Sequence, residues 1–210
     1  MTRSTPPAAR LIVPTIAAIL LAMAVALLRR CLDACGGRFV YPLDDSYIHM
    51  AIARNFALHG SWGIEPGAFQ PASSSPLWTL LLSALVRLFG AHDASALALA
   101  LACMVALVVV LDRLLRAPVP RPLARGAAVL LLCLAIGLPG LTTIGMEPVL
   151  HVLLVTPLAW IASRRIAEPA PVTRSRWPLA LLAALTVLTR FETLFVIGAL
   201  GIVAFRRRRP

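Results

Sequence analysis

Residues 41–78 read YPLDDSYIHMAIARNFALHGSWGIEPGAFQPASSSPLW, and their reading decides the rest. The stretch is neither a plain apolar run nor an arginine-rich connector. It opens on adjacent carboxylates, Asp44 and Asp45, which the spacing places at the start of a helix over 45–59 closed by Gly60. Ile48, Ile52 and Phe56 recur at i, i+4 and i+8 and predict its apolar face. Residues 61–75 hold Gly63, Pro66, Gly67 and Pro71 and should be irregular. A second helix is expected over 76–90, with Ser75 as its cap, Pro76 in its first turn and Gly90 at its end.

Working outward, the surroundings look like bilayer. The chain has 210 residues, 60% of them hydrophobic, against roughly 45–50% in soluble domains. The fold class expected is all-α, a polytopic transmembrane helical bundle with juxtamembrane helices in its first outer loop, forming one membrane domain over 1–210. Apolar runs fall at about 11–28, 76–90, 94–111, 126–143, 148–162, 179–189 and 193–205. A span needs about 20 residues, so composition alone does not say which of them cross. The first run exceeds the usual signal-peptide core of about 7–15 residues and is followed by Arg29-Arg30 rather than a small-residue cleavage site. It reads as an uncleaved span, with a secretion signal as the alternative.

Charge settles the count. The net charge is +11, every basic residue is arginine, and the arginines sit in short clusters between apolar runs. That distribution suits anchoring at a membrane face and argues against nucleic acid, whose footprint is a basic patch on one folded surface. If 76–90 does not cross, Arg3, Arg10, Arg113, Arg116, Arg121, Arg125, Arg164, Arg165, Arg174, Arg176 and Arg206 to Arg209 lie inside. That is 14 of the 20 arginines, and 7 of the 9 acids lie outside. If it crosses, every later loop inverts and the bias is lost. The positive-inside rule therefore favours six spans, at 11–28, 94–111, 126–143, 148–162, 179–189 and 193–205. The last two could also form one re-entrant hairpin. The outer loop is 29–93, and Glu168–Pro178 is an inner Pro/Arg connector. Thr79, Ser83 and Arg87, four apart, make a narrow polar stripe on the 76–90 helix. Such a helix can lie in the interface with its apolar face down; the alternative is a polar seam against other helices.

This topology puts Asp44-Asp45, Glu147 and Arg190 with Glu192 on one face. Ionisable groups at membrane depth are costly and usually functional. Carboxylates from separate loops can hold a hard cation or act as a base, and an arginine fork can hold a phosphate.

The order of YPLDDSYIHMAIARNFALHGSWG, SSSPLWTLLLSAL, TTIGMEPVLHVLL and LTRFETLF resembles the polytopic glycosyltransferases of the C-type fold. The likeness is nearest to mycobacterial arabinofuranosyltransferases, with protein mannosyltransferases and lipid A aminoarabinose transferases further off. The resemblance implies transfer of a sugar from a polyprenyl-phosphate donor to a glycan, lipid or protein acceptor, on the outer side of the cell (inner or plasma) membrane. It implies Asp44 as the base with Asp45 beside it, Glu147 as a site acid or metal ligand, and Arg190 near the donor phosphate. Ser74, Ser75, Trp78 and Glu192 would be sugar or acceptor contacts. A divalent cation, Mg or Mn, would be the cofactor. Family members are generally longer, so the chain is expected to match only their N-terminal part, as a shortened member.

Plainer readings compete. Asp44-Asp45 could be a helix cap, Glu147 a favourable charge at a helix N-terminus, and Arg190 and Glu192 a structural pair. His49 and His59 could be metal ligands but read more simply as loop or packing residues, His151 as facing the bundle rather than a metal, and Trp62 and Trp78 as interfacial anchors. Cys31 and Cys35, four apart, have poor geometry for a disulfide if helical; Cys103 and Cys133 read as packing residues. An accessory membrane protein without activity and a transporter are the other function classes, though no paired interrupted repeats support the latter.

Overall fold

A computed structural model describes residues 7–167 and 177–207, and all regular structure among them is helical. The helices are α1 (Pro7–Ala34), α2 (Asp45–His59), α3 (Pro76–Phe89), α4 (Ser95–Leu115), α5 (Pro122–Ala135), α6 (Leu138–Thr143), α7 (Pro148–Ala167), α8 (Trp177–Thr189) and α9 (Thr193–Arg207). Three of them, α1 from Leu11 onward, α4 and α7, are long and apolar enough to cross a membrane. Most of the 168–178 connector lies outside the described residues, as do Arg3, Arg208 and Arg209.

α4 is the hub, packing against α1, α3, α5, α6 and α7. Its Ala96 and Ala100 are fully buried and let neighbouring backbones approach, while Met104 and Leu107 fill the space below. On α1, Ile12, Ile16, Leu20 and Ala24 repeat every four residues and face inward. Leu11, Ile19, Leu21, Met23 and Leu27 on the same helix are exposed. A helix that buries one stripe yet is apolar all round has its other faces matched to hydrocarbon. Leu131, Leu132, Phe195 and Phe205 add to this apolar exterior.

Two expected elements differ. The run 126–143 is not one helix: α5 stops at Ala135, Gly137 turns left-handed (φ 66°), and α6 restarts at Leu138. Gly137 takes a backbone conformation that other residues resist, and Pro139 cannot donate to a continuing ladder. α1 instead runs past Arg29-Arg30 to Ala34. Cys31 and Cys35 therefore sit at its end, both free, and Cys103 and Cys133 are free and buried.

α2 and α3 pack together as a pair, and α3 also touches α4 and α8. The α3 polar stripe does not face water. Thr79 and Ser83 are buried with Trp78, Leu82 and Val86, while Leu80, Leu88 and Phe89 are exposed. The stripe is thus the polar seam, and the apolar face is the outer one. Of the three stripe residues only Arg87, beyond the end of the seam, is exposed. α2 is rotated from expectation. It buries Ser46, His49, Ile52, Ala53 and Asn55, whereas Phe56 stays exposed with its ring edge-on to Trp62 at 5.4 Å. The polar residues turn inward because α3 and the 61–75 loop offer partners: Asn55 Nδ2 donates to the carbonyls of Gly63 (2.9 Å) and Ile64 (2.6 Å).

Candidate functional site

Two docking contacts fix where α2 begins. Tyr41 is buried, with Phe39 and Tyr47 edge-on around it at 4.9 and 5.7 Å. Its hydroxyl donates to the carbonyl of Asp93 (2.7 Å) and accepts from the Leu97 backbone N–H (3.0 Å), tying the loop to the first turn of α4. Burial pushes this phenol up to about 12, so it stays a neutral donor. The second contact is Ser46 Oγ donating to the Ile144 carbonyl at 2.6 Å. The turn it grips carries Gly145, with φ 70°, and Glu147, which precedes α7.

Glu147 is the centre of what these contacts assemble. Its side chain is 2% exposed. Oε1 pairs with Arg190 Nη1 at 3.3 Å, and Arg190 Nη2 pairs with Glu192 Oε1 at 2.9 Å. Oε2 has no hydrogen-bond partner and faces His49 Nε2 at 3.7 Å. His49 is itself 2% exposed. Its Nδ1 lies 3.0 Å from Thr79 Oγ1 and 3.4 Å from Ser73 Oγ, and the two hydroxyls are 2.8 Å apart. On the far side, His151 Nε2 lies 2.9 Å from Thr193 Oγ1.

The electrostatics follow from burial. Loss of solvent pushes the Glu147 carboxyl up. Its own backbone N–H and the Arg190 guanidinium oppose that push, while the charges of Asp45 and Glu192 add to it. Burial pushes the His49 imidazole down, against the pull of Asp45. The hydrogen bond to Glu192 raises Arg190, with help from both carboxylates. The same hydrogen bond pulls the exposed Glu192 carboxyl down to about 2.

The expected residues separate into those that meet and those that do not. Glu147, Arg190 and Glu192 are in direct contact. Asp44 and Asp45 are exposed. Asp44 Oδ1 accepts the Asp45 N–H (3.1 Å), a cap at the start of α2, and it is Asp45 whose charge reaches both Glu147 and His49. Trp78 is fully buried with Nε1 unpartnered, so it is neither an interfacial anchor nor a platform open to a sugar. Ser75 is buried and its hydroxyl makes no cap; its N–H donates to Ser73 Oγ (3.3 Å) instead. Ser74 is exposed on the loop.

A divalent cation held beside Glu147 would take most of its ligands from water and a donor phosphate. A hard cation needs at least six ligands, mostly oxygens and water. Among the described residues no three His, Cys, Asp or Glu side chains converge as such a group. Of the two Glu147 oxygens, one is held by a guanidinium and the other is enclosed.

His49 is the site residue that sequence reasoning missed. Its signal was available: it stands one turn below Asp45 on the same helix, opposite the Thr79–Ser83 stripe. Comparison with protein-family models, with curated proteins and with solved structures finds no match for the chain. The functional reading rests on the residues themselves.

Proposed function

We propose that the chain is a polytopic membrane glycosyltransferase. It takes a sugar from a polyprenyl-phosphate donor and passes it to a cell-envelope acceptor on the outer face of the membrane. The observation that carries this reading is the Ser46–Ile144 contact. It seats the double-aspartate helix start on the turn bearing Glu147, beside Arg190 from a third segment. Motifs far apart in sequence thus come close, Glu147 and Arg190 in contact and the charge of Asp45 reaching Glu147, which a set of unrelated helix caps would not need to do.

The topology of this proposal has six crossings, with α5 and α6 acting together as one and α2 and α3 lying on the outer side. α4 supports the orientation. Asp93 at its outer end belongs to the Tyr41 docking contact. Asp112 near its other end pairs with Arg125 at 2.7 Å and Arg116 at 2.9 Å. Those ends stand about 30 Å apart at 1.5 Å per residue, the thickness of a hydrocarbon core. That separation supports placing the Arg-rich loop and the charged cluster on opposite faces.

In the reaction, the acceptor O–H bond breaks and its oxygen forms the new bond to the anomeric carbon. The proton goes to the Asp44 carboxylate, and the anomeric carbon–oxygen bond breaks with its electrons leaving on the polyprenyl phosphate. A phosphate leaves without protonation, so one base suffices, unlike the paired carboxylates of glycosidases. Arg190, 37% exposed in its side chain, offers its open edge to the donor phosphate. The test is sugar transfer from a lipid-linked donor in membranes. Asp44→Asn should lower turnover by about 10²–10⁴-fold with insertion intact. Loss only in Asp45→Asn would move the base to Asp45, and full activity in both variants would end this reading.

A further inference from the structure

Glu147 Oε2 is a buried carboxylate oxygen with no partner, and no solvent-exposed surface of it remains. A substrate group has no way to it, but a proton does. Among the described residues the ionisable group paired with it is His49, whose Nε2 is 3.7 Å away. The other ring nitrogen meets a pair of hydroxyls, Thr79 and Ser73, and Ser73 is half-buried in the 61–75 loop. The order carboxylate, imidazole, hydroxyl is also that of a nucleophilic triad. Here the hydroxyl nearest His49 belongs to Thr79, which is fully buried, so it can pass a proton but not attack a substrate.

We propose that Glu147 and His49 hold one exchangeable proton between them, and that Thr79 and Ser73 carry it to the surface of the 61–75 loop. The pair is neutral whether the proton rests on the carboxyl or the imidazole gains it and the carboxylate is left bare, so moving it costs little net charge in a dry site. Burial pushes the carboxyl up and the imidazole down, which brings the two affinities together. The charged groups around the pair are Asp45 on α2, Arg190 and Glu192 on the α8–α9 turn, and His151 on α7 behind Arg190. The inference rests on the transfer reading for its use: His49 lies one helical turn from Asp45, whose charge reaches it, beside the proposed base.

The test does not use sugar transfer. The full chain in lipid vesicles is followed by infrared difference spectroscopy through a pH jump, reading the protonated carboxyl band that Glu147→Gln removes. In His49→Gln the midpoint of that band should rise by one pH unit or more, a tenfold change in the protonated ratio, because a protonated imidazole no longer favours the carboxylate. A midpoint that stays or falls overturns the shared proton. Thr79→Val keeps the shape of the side chain and removes the hydroxyl, and retention of the fold is checked by circular dichroism. The variant should leave the midpoint in place and slow proton uptake at least tenfold; an unchanged rate overturns the path. Loss of sugar transfer with these readouts intact counts against the transfer reading alone.

Discussion

The ring of Tyr41 occupies the space that a side chain at Gly145 would need. A Cβ added there would overlap three ring carbons, and Gly145 also holds φ at 70°. The Tyr41–Gly145 contact is therefore closed to every other residue at 145, and it locks the 41–47 segment onto the turn that bears Glu147. Gly145→Ala is expected to disturb the whole cluster. Strain at the left-handed position costs about 1–2 kcal/mol, and the ring cannot move without breaking its bonds to α4. In the variant, the Arg190–Glu147 contact should loosen and Glu147 should become reactive to a water-soluble carbodiimide, while wild type resists. Equal protection in both would refute the lock.

Tyr41→Phe separates the hydroxyl from the ring. It keeps the aromatic contacts but strips a partner from the Asp93 carbonyl and the Leu97 N–H. Leaving a fully buried group unpaired costs about 1–3 kcal/mol, and these part-buried groups should cost less. The expected result is a lower thermal midpoint in detergent micelles with an unchanged helix content by circular dichroism. An unchanged midpoint would show that the ring alone does the docking.

What the sequence made legible was local. The limits of α2 follow from Asp44 and Gly60, and those of α3 from Pro76 and Gly90, because caps and turn residues act within a few positions. What it hid was rotational. Ile48, Ile52 and Phe56 mark an apolar face of α2, but the face it buries carries Ser46, His49, Ile52, Ala53 and Asn55. Periodicity reports where apolar residues recur, and beside a bilayer both the inner and outer faces are apolar, so the rule loses its direction. The polar stripe on α3 was the better guide, since the Thr79 hydroxyl needs a partner and finds His49. The Asp112–Arg125 pair was invisible for another reason: it joins α4 to α5 across a loop, and no spacing rule links them.

That pair gives the next expectation. Asp112 is 1% exposed and Arg125 is 5% exposed, so Asp112→Asn leaves a buried guanidinium without its carboxylate. Breaking a buried pair from one side typically costs about 3–5 kcal/mol, reduced here because Arg116, the second partner, is largely exposed. Asp112→Asn should lower the yield of folded protein, and the double variant Asp112→Asn/Arg125→Gln should recover part of it. A double variant no better than the single one would show that the two side chains are not coupled.

Arg190→Gln tests the pH dependence of the cluster. The folded state raises the Glu147 carboxyl above its ordinary value of 4.5. A raised acid favours the folded state fully below that ordinary value and loses the advantage as pH rises through the folded value. Arg190 limits the rise. Without it, the folded value climbs further, and the carboxylate that forms above it has no cation on Oε1. The gap in thermal midpoint between wild type and Arg190→Gln should therefore widen from pH 5 to pH 8. A gap that is constant across that range would mean that Glu147 does not sense Arg190.

Sidedness is tested by labelling, and the structure selects the positions. A cysteine at 145 would meet the Tyr41 ring, so the label belongs elsewhere. Phe69 on the 61–75 loop is 76% exposed, and Phe191 beside Arg190 is 54% exposed. In a background in which Cys31, Cys35, Cys103 and Cys133 are replaced by alanine, single cysteines at 69 and 191 should react with a membrane-impermeant maleimide from the same side of intact cells. A cysteine at Leu123, 84% exposed near the Arg-rich loop, should react only after permeabilisation. The argument needs all three positions. If α3 crossed the membrane, position 69 would face away from 191, yet α2 carries both the loop contact to Asn55 and the contact to Ile144. Labelling of 69 and 191 from opposite sides would separate Asp44 from Glu147 and remove the cluster on which the proposed chemistry depends.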